Sequence, residues 1–154
     1  MRLSDFLDPA LVICDLLVKD NRELLSRISR QICRQHPDLN EKALLGKLLE
    51  REDKSSSGLE GGVAVPHAMV PGVQKAICMV IRLAGPLDLK TMDGSPVTIV
   101  FALISPPDAV ATHIRILARI ARLCSIPAFI DKILAAPDSA SLHQVILTED
   151  NRHV

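Results

Sequence analysis

Ser56-Ser57-Gly58-Leu59-Glu60-Gly61-Gly62-Val63-Ala64-Val65-Pro66-His67 is the stretch around which this chain is organised. It opens on two hydroxyls, passes three glycines, becomes a short apolar run and stops at Pro-His. Glycine lets a backbone turn sharply or approach another group closely. Val63-Ala64-Val65 is too short for a helix and reads as a buried strand. Pro66 has no N–H to donate, so it ends the ladder. His67 is thereby delivered at the end of a rigid element, where functional side chains concentrate. The same residues also allow a plainer reading: a glycine turn, an edge strand and a surface histidine.

Upstream, a helical turn and an extended segment from Leu11 to Val18 precede a helix capped by Asp20 or Asn21. Leu24, Leu25, Ile28, Ile32 and Cys33 recur there at helical spacing, and Pro37 stops the helix near Gln35. Asn40 caps a second helix that carries Arg51 near its end, before a polar Glu52-Asp53-Lys54-Ser55 connection. Arg51 reads either as a solvated cation favouring the helix C-terminus or as a fork shaped for a phosphate.

Downstream, Ala68 to Gly72 reads as a loop and Ala76 to Leu83 as a buried strand broken by Gly85-Pro86. A short strand at Leu87-Asp88-Leu89 and a turn over Met92-Asp93-Gly94-Ser95-Pro96 lead into a central strand, Val97 to Ile104. A helix from Ala109 to Cys124 takes Val110, Ile114, Leu117, Ile120, Ala121 and Cys124 as its apolar stripe, with His113 beside it. A lone histidine in that setting is commonly a satisfied core residue. Two further helices run to Ala136 and Leu147, and 148–154 reads as a flexible tail. Helices, then strands around the Pro-His, then helices predict one α/β domain over 1–154, a sandwich with a small mixed sheet flanked by helices.

Composition narrows the function. The 154 residues carry 18 acidic and 18 basic side chains, so no phosphate-backbone binder is predicted. Aromatics are only 2%, which argues against a base-stacking platform. No apolar run reaches membrane-span length, and Met1-Arg2-Leu3-Ser4-Asp5 does not read as a signal peptide. Cys14, Cys33, Cys78 and Cys124 lack metal-ligand spacing and read as free thiols of a reducing cytoplasm. No metal or cofactor is expected.

Several blocks in order resemble the fructose/mannitol/nitrogen-regulatory type of enzyme IIA domain of the bacterial phosphoenolpyruvate-dependent phosphotransferase system. They are Arg51, Ser56-Ser57-Gly58-Leu59-Glu60, Gly62-Val63-Ala64-Val65-Pro66-His67, Asp93-Gly94-Ser95-Pro96-Val97, Pro106, His113-Ile114 and Leu117-Ala118. The resemblance spans about residues 2 to 147. It implies a phosphocarrier on an α/β sandwich with about five strands. It implies that His67 accepts a phosphoryl group from an HPr-like protein and passes it to an enzyme IIB or holds it as a regulatory signal. By position His113 matches the second active-site histidine and Arg51 the active-site arginine. The chemistry agrees, because neutral imidazole is the acceptor form and transfer needs positioning plus donors for the equatorial oxygens, a role open to Ser57.

The departures from the family pattern are Ser57 for a usual Thr, Ala68 where Gly is frequent, and Glu60 for a usual Gly. An acid near a phosphate is unfavourable. The expectation from the resemblance as a whole is a phosphocarrier of the nitrogen-regulatory type. The alternatives are a non-catalytic interaction module on the same fold, in which Glu60 has compromised transfer, a sugar-specific component, and, ranked last, a metal-dependent hydrolase using His67 and His113.

Overall fold

The computed structural model describes residues 1–54, 56–89, 91 and 93–153. Ser55, Met92 and Val154, expected in a connection, a turn and the tail, lie outside the described residues. The elements are a 3-10 turn (Leu3–Asp5), β1 (Leu7–Leu16), α1 (Asn21–Gln35), α2 (Glu41–Lys54), β2 (Val63–Ala64), β3 (His67–Met69), β4 (Ile77–Leu87), β5 (Val97–Ser105), α3 (Val110–Cys124), α4 (Pro127–Ala135) and α5 (Ser139–Arg152). The strands form one mixed sheet, ordered β1-β4-β5-β2, with β3 also on β5. Among the named strands of the described residues β4 and β5 are the antiparallel pair; β1 runs parallel to β4, and β2 and β3 run parallel to β5.

Period-two alternation in the strands decides which helices cover which face. Met79, Ile81, Val100, Ala102 and Ile104 meet Leu24, Leu25, Ile28, Ile32, Leu44 and Leu48 of α1 and α2. Cys78, Val80, Ile99, Phe101 and Leu103 meet Ile116, Ile120, Phe129, Ile133, Leu142 and Ile146 of α3 to α5. Both faces of β4 and β5 are therefore buried, as the unbroken apolar runs predict. The helices begin where short polar side chains can hold orphan amides. Asp20 accepts from the Glu23 N–H, Asn40 from Ala43 and Asp138 from Ser141, each at 2.8–2.9 Å. Pro127 occupies the first turn of α4, where no N–H is needed.

Several boundaries and one helix face depart from the expectation. β1 starts at Leu7 and passes through Pro9, because it is an edge strand with a register shift between Leu7 and Val12. β4 continues through Gly85-Pro86 to Leu87, which pairs with Val97 beyond a second shift, so no separate strand forms at 87–89. Its β1 partner has ended by then, and Pro86 withholds no needed donor. His67–Met69 is strand, where a loop was expected after His67. The buried stripe of α3 is His113, Ile116, Ile120 and Leu123, while Val110 and Ile114 are exposed. Finally, α5 runs through the expected tail to Arg152, and Asp150 is buried. Asp150 accepts from the Leu3 and Ser4 N–H groups and from Arg119 Nε at 2.7 Å, so the polar end of the sequence closes the fold. Among the described residues no helix is long and apolar enough to cross a membrane.

Candidate active site

β2 and β3 are one strand interrupted by Pro66. Val63 pairs with Ile99 and His67 with Leu103, so the register is unchanged across the break. Pro66 cannot donate to β5, yet its carbonyl still accepts from the Leu103 N–H at 3.0 Å. Alternation then places His67 on the face of Val63 and Val65, the face covered by α3. Gly62 makes the entry possible: its φ is +80°, and a Cβ there would lie 3.0 Å from the Pro96 carbonyl. The outer edge of β2 is closed by the preceding residues. Leu59 N–H donates to the Val63 carbonyl and Val65 N–H to the Ser57 carbonyl.

His67 and His113 come together. Their ring centroids are 5.4 Å apart at a 49° tilt. His67 Nδ1 is 2.7 Å from its own strand's Val65 carbonyl, which can only accept, so Nδ1 carries the proton and Nε2 a lone pair. His113, in the first turn of α3 and almost wholly buried, places Nδ1 2.7 Å from the Ser105 hydroxyl. Arg51, in the last turn of α2, lines the same open cleft of about 360 Å³ with Lys47, Glu50, Lys54, Met69 and both rings.

Both imidazoles are held neutral. Burial pushes His67 below its ordinary value and the Arg51 cation adds to this, against the Val65 carbonyl and the Glu52 carboxylate. Burial, then His67, then Arg51 push His113 down to about 4. The cleft thus offers an uncharged nucleophilic nitrogen beside cations, an arrangement suited to an incoming anion.

Ser57 and Glu60 are placed differently. Ser57 is buried, and both its N–H and its hydroxyl donate to Glu52 Oε1, at 3.1 and 3.2 Å. Glu60 is exposed on the turn ahead of Gly61 and borders a second groove with Leu59, Asp93, Ile130 and Asp131. That turn is fastened by Asp93, which accepts from the Gly61 N–H at 3.1 Å. Backbone donors from Gly61 and Ser95 hold the Asp93 carboxyl down to about 2. The Asp-Gly block therefore braces the glycine turn, and neither it nor Glu60 lines the histidine cleft.

Sequence reasoning missed Glu52 and Ser105. Glu52 belongs to α2, not to a connection, and braces Ser57 while acting on His67. Ser105 closes β5 on the same face as Phe101 and Leu103, and strand parity was the signal that could have found it. Among the described residues no group of three or more His, Cys, Asp or Glu side chains could hold a metal ion.

Residues 5–149 match the family described as "Phosphoenolpyruvate-dependent sugar phosphotransferase system, EIIA 2". The chain is 32% identical over 146 residues to the nitrogen regulatory protein of Bradyrhizobium diazoefficiens, covering 95% of each chain. It is 28% identical over 151 residues to that of Pseudomonas aeruginosa, covering 98% of each. Among solved structures, the nitrogen regulatory protein IIA-Ntr from Neisseria meningitidis superposes with a TM-score of 0.87 at 24% identity, over 94% of this chain and 98% of that one.

Proposed function

The chain belongs to the EIIA 2 family of the phosphoenolpyruvate-dependent phosphotransferase system, and we propose that it is a phosphocarrier of the nitrogen-regulatory kind whose acceptor atom is His67 Nε2. The observation that carries this reading is the 2.7 Å contact between His67 Nδ1 and the Val65 carbonyl, which leaves Nε2 bare at a cationic cleft. The donor is an HPr-like phosphohistidine protein. The P–N bond to the donor nitrogen breaks, its electron pair returns to that ring, and a P–N bond forms to His67 Nε2. No proton needs to move, because Nδ1–H stays on Val65 while the ring takes up positive charge. Arg51 and His113 stabilise the equatorial oxygens. Exposed Val110, one turn before the buried His113 on α3, and exposed Ile114, the residue next to it, supply an apolar rim against which a partner protein docks.

The full-length likeness to two nitrogen regulatory proteins supports the regulatory branch over a sugar-specific component. The group is then passed to an enzyme IIB or held as a signal to a regulatory target, in the cytoplasm. A non-catalytic module would need Glu60 to obstruct the histidine cleft, and Glu60 borders a different groove. The test is incubation with phosphoenolpyruvate, enzyme I and an HPr-like donor. An acid-labile, alkali-stable phosphate seen by mass and lost in His67→Ala supports the reading. No label, where a control enzyme IIA is labelled, overturns it.

A further inference from the structure

The two rings each offer one nitrogen to the cleft, but their other nitrogens rest on chemically different groups. Val65 offers a carbonyl to His67, and a carbonyl has no choice of role. Ser105 offers His113 a hydroxyl, which can donate or accept. Burial removes that freedom. Ser105 is fully buried, and among the described residues its Oγ bonds only to His113 Nδ1. If Nδ1 carried the proton, it would donate to Oγ and the hydroxyl hydrogen would be stranded in the interior. If Nδ1 is bare, the hydroxyl donates to it and only a lone pair goes unused. An orphaned buried donor is the rarer and costlier of the two.

We infer that Ser105 is a positioning residue that keeps neutral His113 as the Nε2–H tautomer. The statement rests on His67 being the phosphoryl acceptor. The rings then divide the work: His67 presents a lone pair to phosphorus, and His113 presents an N–H to an equatorial oxygen. Strand parity makes this possible, since Ser105 and His67 project to the same face of the sheet, one from β5 and one from the strand beside it.

Ring nitrogens of ¹⁵N-histidine-labelled protein report the tautomer directly, through their long-range proton correlations, before any phosphorylation. The wild type is expected to show His113 protonated at Nε2 and His67 at Nδ1. Ser105→Ala is expected to spread His113 over both tautomers and to slow labelling of His67 about tenfold, and Ser105→Thr to restore both. A wild-type His113 protonated at Nδ1 overturns the inference without any variant. So does Ser105→Ala that leaves either the tautomer or the rate unchanged. If the wild type takes no label at all, the acceptor reading falls, while the tautomer signature still decides what Ser105 does.

Discussion

Two buried polar centres lie on the same side of this sheet and are built on opposite terms. Around Asp150, every group is answered within the protein: its carboxylate takes Arg119 Nε and two N–H groups of the N-terminal turn, and Arg119 also donates to the carbonyls of Asp150 and His153. Around His67 and His113, each ring has one nitrogen tied and one left at an open cleft. The first centre uses its polar groups to join the two chain ends. The second leaves them available, which is the mark of a site. A fully satisfied network gives a fold one geometry; a partly satisfied one is tolerated only where something else completes it.

The largest effects break this contrast from both sides. His67→Ala is expected to remove all label while shifting stability by less than about 1 kcal/mol, the ring being only partly buried. Asp150→Ala is expected to cost about 3–5 kcal/mol, because the Arg119 charge is left buried without its carboxylate. The fraction of that variant that stays folded should take label at the wild-type rate. Urea unfolding and mass labelling on the same samples check both. A stable Asp150→Ala, or a folded one that fails to label, would erase the distinction.

Acid gives a smaller, reversible way to separate the centres. His113 binds its proton at about 4 when folded and near the ordinary value of about 6.5 when unfolded. Between those values the unfolded chain binds more protons, so stability rises with pH across that window and is fully present above it. The expected loss on going from pH 7 to pH 4 is at most about 3 kcal/mol from this ring. His113→Gln should flatten that part of the profile. An unchanged profile in the variant would assign the acid sensitivity elsewhere. His67 is displaced in the same direction, so labelling should persist through slightly acidic pH and then fall as Nε2 takes a proton.

A third test concerns the rim. Ile114 is 59% exposed although its neighbour His113 is buried. Ile114→Asp is expected to weaken donor docking by about 1 kcal/mol, lowering the label rate several-fold at low donor and little at saturating donor. Stability should stay within about 0.5 kcal/mol. Equal slowing at every donor concentration would show that α3 itself, and not its exposed rim, had been disturbed.

These contrasts also mark what the amino-acid order makes legible. Val97 to Ile104, Ala76 to Leu83 and the helical runs are readable because burial on both sheet faces demands continuous apolar strands, and covering helices demand a stripe. His67, His113 and Arg51 are readable as candidates because their residue types announce their chemistry. What is hidden depends on partners distant in sequence. Arg82 sits inside an apolar strand and gives no sign that it donates to the Ile133 and Ala136 carbonyls at the end of α4. Asp150 looks like part of a solvated tail until the N-terminal turn is folded against it. The buried stripe of α3 lies one position from the one its apolar residues suggest, because the buried ring of His113 belongs to it and fixes the phase of the helix. The Ser57 hydroxyl reads from the sequence as a donor for a phosphate; what the order of residues does not show is that Glu52, five positions earlier, accepts from it.

Glu60 supplies the finest test, because sequence and geometry pull apart there. An acid in a hydroxyl-glycine loop next to a phosphate acceptor ought to slow transfer. The structure separates the two: the charges acting on His67 are Arg51 and Glu52, and Glu60 stands exposed over the other groove. Its backbone also needs no glycine, since positive φ on this turn falls at Gly61 and Gly62. Glu60→Gly is therefore expected to change the label rate by less than about twofold, as an exposed and screened charge should. Stability should drop by about 0.5–1 kcal/mol, because a third consecutive glycine adds unfolded-state freedom without relieving any strain. A labelling rate that rises tenfold with unchanged stability would mean that the donor protein feels Glu60 during docking. The boundary drawn here between the brace and the site would then have to move to include the whole turn.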